Sequence, residues 1–334
     1  MSATAVTAAK TVPPSFAGAI RQGLGNGTLI VIVIYAVLFV AYAIAQPDAA
    51  SLSQITEQLN NALPLALAAA GGTFVVLTRG FDLSVAGVVS IANVVMATQV
   101  GDGPGSALYG LALVVGIGLL VGAVNGWLTA YVGLQSIAST LGTMIICSGV
   151  ALVILDAPGG TVPDFVSYDL LDMLWDLVPV TGLIAAVAIL LWLAVRRTAF
   201  GIGIYAVGAD ETAATLGGID VRRTKFFAYC LAGIFYGLAG YMLSAQTATG
   251  NPNAGNPLLL QVFAAIAIGG TSFRGGRGGL VGSMVGAATL MLLQKVLFAA
   301  GVSSFYTGLF QGVVMIIAVL IAALSARFAQ AGRQ

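Results

Sequence analysis

The stretch TLIVIVIYAVLFVAYAIA, Thr28 to Ala45, decides the fold class: eighteen consecutive residues without a charge. A helix rises about 1.5 Å per residue and a bilayer's hydrocarbon core is about 30 Å thick, so about 20 apolar residues cross it. Similar runs follow near Ala62–Thr78, Leu83–Gln99, Ala107–Tyr131, Ser136–Leu155, Pro179–Val195, Phe226–Ala245, Ala254–Ser272, Leu280–Ala300 and Phe305–Leu324, ten in all. The runs are continuous rather than alternating in units of about ten residues, which excludes a transmembrane β-barrel. The first run is longer than a signal-peptide core and no small-residue cleavage pattern follows, so it reads as an uncleaved anchor. The expected fold is an all-α polytopic membrane protein. It has a polar tail at 1–27, one transmembrane domain at 28–324 and a second tail at 325–334.

Composition agrees. The chain has 334 residues, 59% of them apolar and 7% charged, where a soluble domain carries about 25% charged residues. The net charge of +1 supplies no basic field for nucleic acid. There is no histidine, which removes the commonest general base and metal ligand. Cys147 and Cys230 both sit in apolar runs and read as packing residues. No metal-ligand pattern or nucleophile–base pair stands out, which argues against a metal site and an intramembrane enzyme. No glycine loop is followed by Lys-Ser or Lys-Thr, so no ATP is held by a P-loop here, and no cofactor is expected on this chain.

Charge asymmetry orients the spans. With the N-terminus in the cytoplasm and ten crossings, both termini lie inside. Twelve of the thirteen basic residues then face the cytoplasm, from Lys10 and Arg21 through Arg79, Arg196, Arg197, Arg222, Arg223, Lys225, Arg274 and Arg277 to Arg327 and Arg333. Only Lys295 falls toward the outside, where it can snorkel to the surface or line a path. If the eighth span were re-entrant the asymmetry would drop to nine against four. Acidic residues sort the other way: Asp156, Asp164, Asp169, Asp172 and Asp176 fall in one external segment. Its Leu170–Trp175 stretch reads as an interfacial helix with Trp175 among the headgroups, or as a docking ledge for an external protein.

Ion-driven carriers place ionisable groups at mid-membrane, and these spans carry almost none. Arg79 and Asp82 stand at a cytoplasmic end, where Asp82 can cap the third span. The polar side chains within the spans are hydroxyls and amides, including Thr73, Asn93, Ser244 and Ser283. Singly they suit interhelical hydrogen bonds; together they suit a wet path for a neutral, polyhydroxylated solute. Asp82, Asn125, Thr140, Thr143 and Gln261 are the candidates for that path or its gate. Gly71-Gly72, Gly116-x-Gly118 and Gly282-x-x-x-Gly286 allow close helix approach. Asn125-Gly126 marks either a break that lines a cavity or another close contact.

The longest inside segment, 196–225, contains a short helix with both ends marked. Asp210 is a good N-cap, Glu211 suits the positive end of the dipole, and Gly217 or Gly218 can take the left-handed C-terminal position. Ala213 and Ala214 are small enough to seat closely in a partner's groove. Such a capped helix beside a bundle is a shape a partner can grip.

Six stretches carry a resemblance that covers about Leu59 to Leu324. They are Thr78–Val85 (TRGFDLSV), Val124–Gly126 (VNG), Ser139–Thr143 (STLGT), Gly208–Ile219 (GADETAATLGGI), Ile268–Gly278 (IGGTSFRGGRG) and Gly301–Tyr306 (GVSSFY). The chain resembles the ribose-type permeases of bacterial ABC importers for monosaccharides. The resemblance implies a multi-pass permease of the bacterial inner membrane that works as a dimer, homodimeric or paired with a homologue. It also implies a cytoplasmic ATPase that binds the ATP, and a periplasmic substrate-binding protein. It makes Asp210, Glu211, Ala213, Ala214, Leu216, Gly217 and Gly218 the element that couples the pathway to the ATPase. Several positions depart from the family's usual pattern: Arg79 stands where a glycine is common, Phe81 where an aliphatic residue is, Asp210 where asparagine is, Gly217 where serine is, and Gln294-Lys295 where Asn-Gly is. A branched-chain amino-acid permease of the same importer class and an ion-coupled secondary transporter are the alternatives.

Overall fold

The computed structural model describes residues 27–303 together with 306, 308, 309, 312, 313 and 316. The tail before residue 27, most of the tenth predicted span and the tail at 325–334 lie outside the described residues. So do Lys10, Arg21, Arg327 and Arg333.

The described chain is helical almost throughout. Its helices are α1 (Gly27–Ala45), α2 (Leu52–Leu77), α3 (Val85–Thr98), α4 (Ser106–Trp127), α5 (Ser136–Ile154), α6 (Val180–Val195), α7 (Ala199–Ala209), α8 (Glu211–Leu216), α9 (Val221–Thr247), α10 (Asn256–Ile268) and α11 (Leu280–Ala299). Six are long and apolar enough to cross a membrane: α1, α2, α4 with the π-helical turn Leu128–Val132 that follows it, α5, α9 and α11. Helices α6 and α7 are together long and apolar enough for a seventh crossing, but they bend 78° from each other at a break that holds Arg196 and Arg197. The apolar helices α3 and α10 have 14 and 13 residues, so each reaches only about 20 Å. The irregular segments beside them, 79–84 and 248–255, are buried in part: Asp82, Ser84, Gly250, Pro252 and Gly255 are covered, whereas Arg79, Ala248 and Asn253 are exposed.

The centre is α2 and α9, with α3, α10 and α11 against them. From Ala62 to Leu77 every residue of α2 is buried. By contrast α1, α4, α5 and α6 turn large apolar side chains outward, such as Ile44, Leu120, Ile146 and Val153. That is the pattern of a bundle in hydrocarbon, where the apolar face needs no cover.

The tightest contact is between α4 and α9. Gly118, Gly122 and Gly126 recur every four residues and so share one face. A Cβ at Gly118 would stand 2.0 Å from the Gly233 carbonyl oxygen, and one at Gly122 2.3 Å from that of Tyr229. The backbones touch directly. Of the expected Gly116-x-Gly118 pair only Gly118 is used, because Gly116 faces open space. Gly282 and Gly286 pack as expected, each bringing α11 onto the end of α10. Gly126 lies against Phe226, and the helix runs unbroken to Trp127, so the close-contact reading of Asn125-Gly126 applies.

Several expectations change. The Leu170–Trp175 stretch is not an interfacial helix. Met173–Leu174 pairs antiparallel with Val178–Pro179, as strands β1 and β2. Trp175 and Asp176, both at positive φ near 50°, make the hairpin turn together with Leu177. Helix α2 begins ten residues before the apolar run, at Leu52, with the Ser51 hydroxyl accepting from the Gln54 amide. The 196–225 segment is mostly ordered helix, because Thr198 caps the additional helix α7. Lys295 does not stand alone: it pairs with Glu57 at 2.9 Å, tying α11 to the start of α2.

Candidate functional site

Two constellations stand out, joined by one loop. The first is the short helix α8. Asp210 is its N-cap and accepts from the Ala213 amide at 2.9 Å. Hydrogen bonds from the amides of Ala213 and then Thr212 hold the Asp210 carboxyl below its usual range, with Arg79 adding a smaller attraction. Gly218, at φ 81°, takes the left-handed C-terminal position, whereas Gly217 stays right-handed. Lys225 at the start of α9 pairs with Glu211 at 2.7 Å and ties the short helix to the bundle. Thr212, Ala213 and Thr215 are exposed, and Leu216 is 85% exposed. Ala214, read from sequence as part of the outward surface, is instead turned into the chain and 5% exposed.

The second constellation is a buried polar network around the 79–84 loop. Asp82 is 2% exposed. It does not cap α3, whose N-cap position is Ser84; its Oδ1 instead accepts from the amide and hydroxyl of Ser84, at 3.0 and 2.5 Å. Asn125 on α4 donates to the Ser84 hydroxyl at 3.0 Å and accepts from the Thr143 hydroxyl at 2.8 Å. The first two turns of α5 hold the loop's backbone: Ser136 Oγ accepts from Phe81 N, and Thr140 Oγ1 from Leu83 N at 3.1 Å. The Tyr229 hydroxyl donates to the Phe81 carbonyl at 3.4 Å. Asp82 Oδ2 has no hydrogen bond of ordinary geometry, nor does the Tyr236 hydroxyl beside it. Tyr229 and Tyr236 lie eight and fifteen residues into α9, about 12 and 22 Å along its axis. The loop therefore carries a carboxylate toward the middle of the bundle, deeper than the cytoplasmic end expected from sequence.

Four of the five path candidates, Asp82, Asn125, Thr140 and Thr143, thus meet in one network. Gln261 is half-buried on α10, two residues before Phe263. The Phe263 ring packs on Phe81 at 5.9 Å, and Phe81 stacks on Phe273 at 5.6 Å, so three aromatic rings close beside the network.

Sequence reasoning gave no role to the 248–255 loop. There Asn93 donates to the Ser244 hydroxyl and the Thr249 carbonyl and accepts from the Asn251 amide at 2.6 Å. The Ser90 hydroxyl accepts from the Gly255 amide. A buried amide beside a short apolar helix was the available signal.

The loop joining the two constellations meets the end of α7. Gly276 N donates to the Leu77 carbonyl at 3.0 Å, and a Cβ on Gly208 would lie 1.8 Å from that same oxygen. The C-terminal ends of α2 and α7 and the 272–278 loop are in backbone contact.

A helical bundle that buries hydroxyls and amides at its centre and presents a capped helix at one end has the architecture of a membrane permease. The chain belongs to the permease family described as "Branched-chain amino acid transport system / permease component", which matches residues 54–319. It is 34% identical over 291 residues to the ribose import permease protein RbsC of Bacillus subtilis, covering 85% of this chain and 89% of that one. The RbsC of Escherichia coli K12 is 31% identical over 290 residues, covering 85% and 90%. The D-allose transport system permease protein AlsC of Escherichia coli K12 is 32% identical over 253 residues, covering 75% and 77%. No solved structure matches the chain.

Proposed function

We propose that the chain is the membrane-spanning permease subunit of an ATP-binding-cassette importer. It translocates a monosaccharide, pentose or hexose, delivered by a periplasmic binding protein, and lies in the bacterial inner membrane. The observation that carries this reading is the likeness, over most of the chain, to permeases named for ribose and allose import. The family description also covers branched-chain amino-acid permeases, but the two named substrates among these relatives are sugars. ATP is bound and hydrolysed by a cytoplasmic partner seated on α8, so this chain carries no catalytic residue, cofactor or metal. A second permease copy, identical or homologous, completes the pathway.

The ten-crossing topology fits this reading. Six long helices, α6, the short helices α3 and α10, and the 305–324 run make ten, with α7 in the inside segment. Arg79 and Arg274 meet at one end of the bundle, and Lys295 with Glu57 belongs to the other. Both termini then lie inside. Asp82, Asn125, Thr140 and Thr143, with Gln261 nearby in sequence to the aromatic rings, border the solute's route or its cytoplasmic gate.

Reconstitution tests the proposal. The permease in liposomes with its operon's ATPase and binding protein should take up labelled ribose or allose only with ATP, and uptake should survive collapse of the ion gradients. Gradient-driven uptake by this chain alone would refute it, and uptake of leucine in place of sugar would favour the amino-acid reading.

A further inference from the structure

Arg79 pairs with no acidic group among the described residues. Its guanidinium donates instead to three main-chain carbonyls: Nε to Gly208 at 2.8 Å and to Arg274 at 3.1 Å, and Nη2 to Ala209. Gly208 and Ala209 are the last residues of α7, where a helix leaves carbonyls unpaired and its dipole is negative. A planar cationic fork suits that end better than a point charge. The residue after Ala209 is Asp210, the N-cap of α8.

The backbone of Arg79 is left-handed, at φ 66°, a conformation easy for glycine and strained for any residue with a Cβ. A side chain held where the backbone favours glycine points to a task for that side chain. Its stem also packs on the 272–278 loop, since a Cβ on Gly275 would meet Arg79 Cγ at 2.6 Å. Three residues further on stands Asp82, in the buried network.

We propose that Arg79 is the positioning residue that transmits movement of α8 to the buried network at Asp82. Its fork grips the hinge between α7 and α8, and its backbone begins the loop that carries Asp82, Ser84 and, through Ser84, Asn125. Displacing the short helix pulls this loop. The inference rests on the reading of α8 as the ATPase seat.

The test compares Arg79→Gly, Arg79→Lys and Leu216→Ser in the assembled importer of permease, ATPase and binding protein in liposomes. Co-purification of the ATPase, thermal unfolding, ATP hydrolysis and solute moved per ATP are read together. Glycine suits the backbone at this position, so Arg79→Gly should fold and keep its ATPase. Solute moved per ATP should fall about tenfold, within the range of typical coupling effects. Arg79→Lys keeps the charge without the fork and should fall less, and it decides the matter if the glycine variant does not assemble. Normal solute per ATP in Arg79→Gly, or in a Lys variant standing alone, overturns the proposal. So does a drop in stability with the transport ratio intact, which marks a structural tie only. If Leu216→Ser leaves ATPase binding and transport untouched, the coupling reading falls and this inference with it. If Leu216→Ser releases the ATPase while Arg79→Gly transports normally, only the role of Arg79 falls.

Discussion

Leu216 offers the clearest measure of whether α8 is a docking element. The side chain is 85% exposed at the end of a six-residue helix, so the isolated chain gains almost nothing from it. A partner that buries it gains about 1.5–3 kcal/mol. At about 1.4 kcal/mol per factor of ten, Leu216→Ser should weaken ATPase association about 10- to 150-fold. The permease's own stability should shift by no more than about 0.5 kcal/mol, as for other exposed positions. Titrating purified ATPase onto the permease in nanodiscs, with thermal unfolding in parallel, separates the two quantities. Unchanged association at unchanged stability would refute the docking role of this face. Ala213→Trp, on an exposed position, is the complementary overpacking test. Ala214→Trp is not, because Ala214 is buried in the permease's own packing and a bulky residue there perturbs the fold.

Asn125→Leu removes hydrogen bonds to Ser84 and Thr143 and should cost about 1–3 kcal/mol from two interhelical bonds; an unfolding temperature equal to wild type would argue against a network. Cysteine at Ser272 should label from the cytoplasm and cysteine at Asn253 from outside, and the reverse pattern would sink the ten-span topology. The Asp210 carboxyl has a depressed pKa, so its contribution to α8 is present at neutral pH and is lost as pH falls through that value. Asp210→Asn, still a good N-cap, should flatten the acid side of the pH profile of ATPase association.

The features written in local sequence were legible. Uninterrupted apolar runs marked the crossing helices, and the Asp210…Gly218 pattern marked a capped helix before any fold was known. What escaped reading depends on partners distant in the chain. The first turns of α2 are polar, with Glu57, Gln58, Asn60 and Asn61, and look like loop until their contacts are seen. Asn60 donates to the Leu171 carbonyl and accepts from Thr181, while Glu57 meets Lys295. Helix α7 was hidden in a glycine-rich loop because its stability comes from burial of Gly201, Ile204 and Val207 rather than from propensity. The burial of Asp82 could not be inferred from its place between two apolar runs. A loop that turns inward and one that turns outward have the same composition.

The glycine seam between α4 and α9 has a mechanical consequence. Where carbonyl oxygens press on glycine Cα atoms, no flexible side chains remain to absorb a tilt, and the two helices behave as one stiff beam. Any movement of the bundle then has to be distributed around that beam, and the breaks in regular structure are the 78° elbow between α6 and α7 and the 79–84 loop. Rigidity in one place makes leverage possible in another.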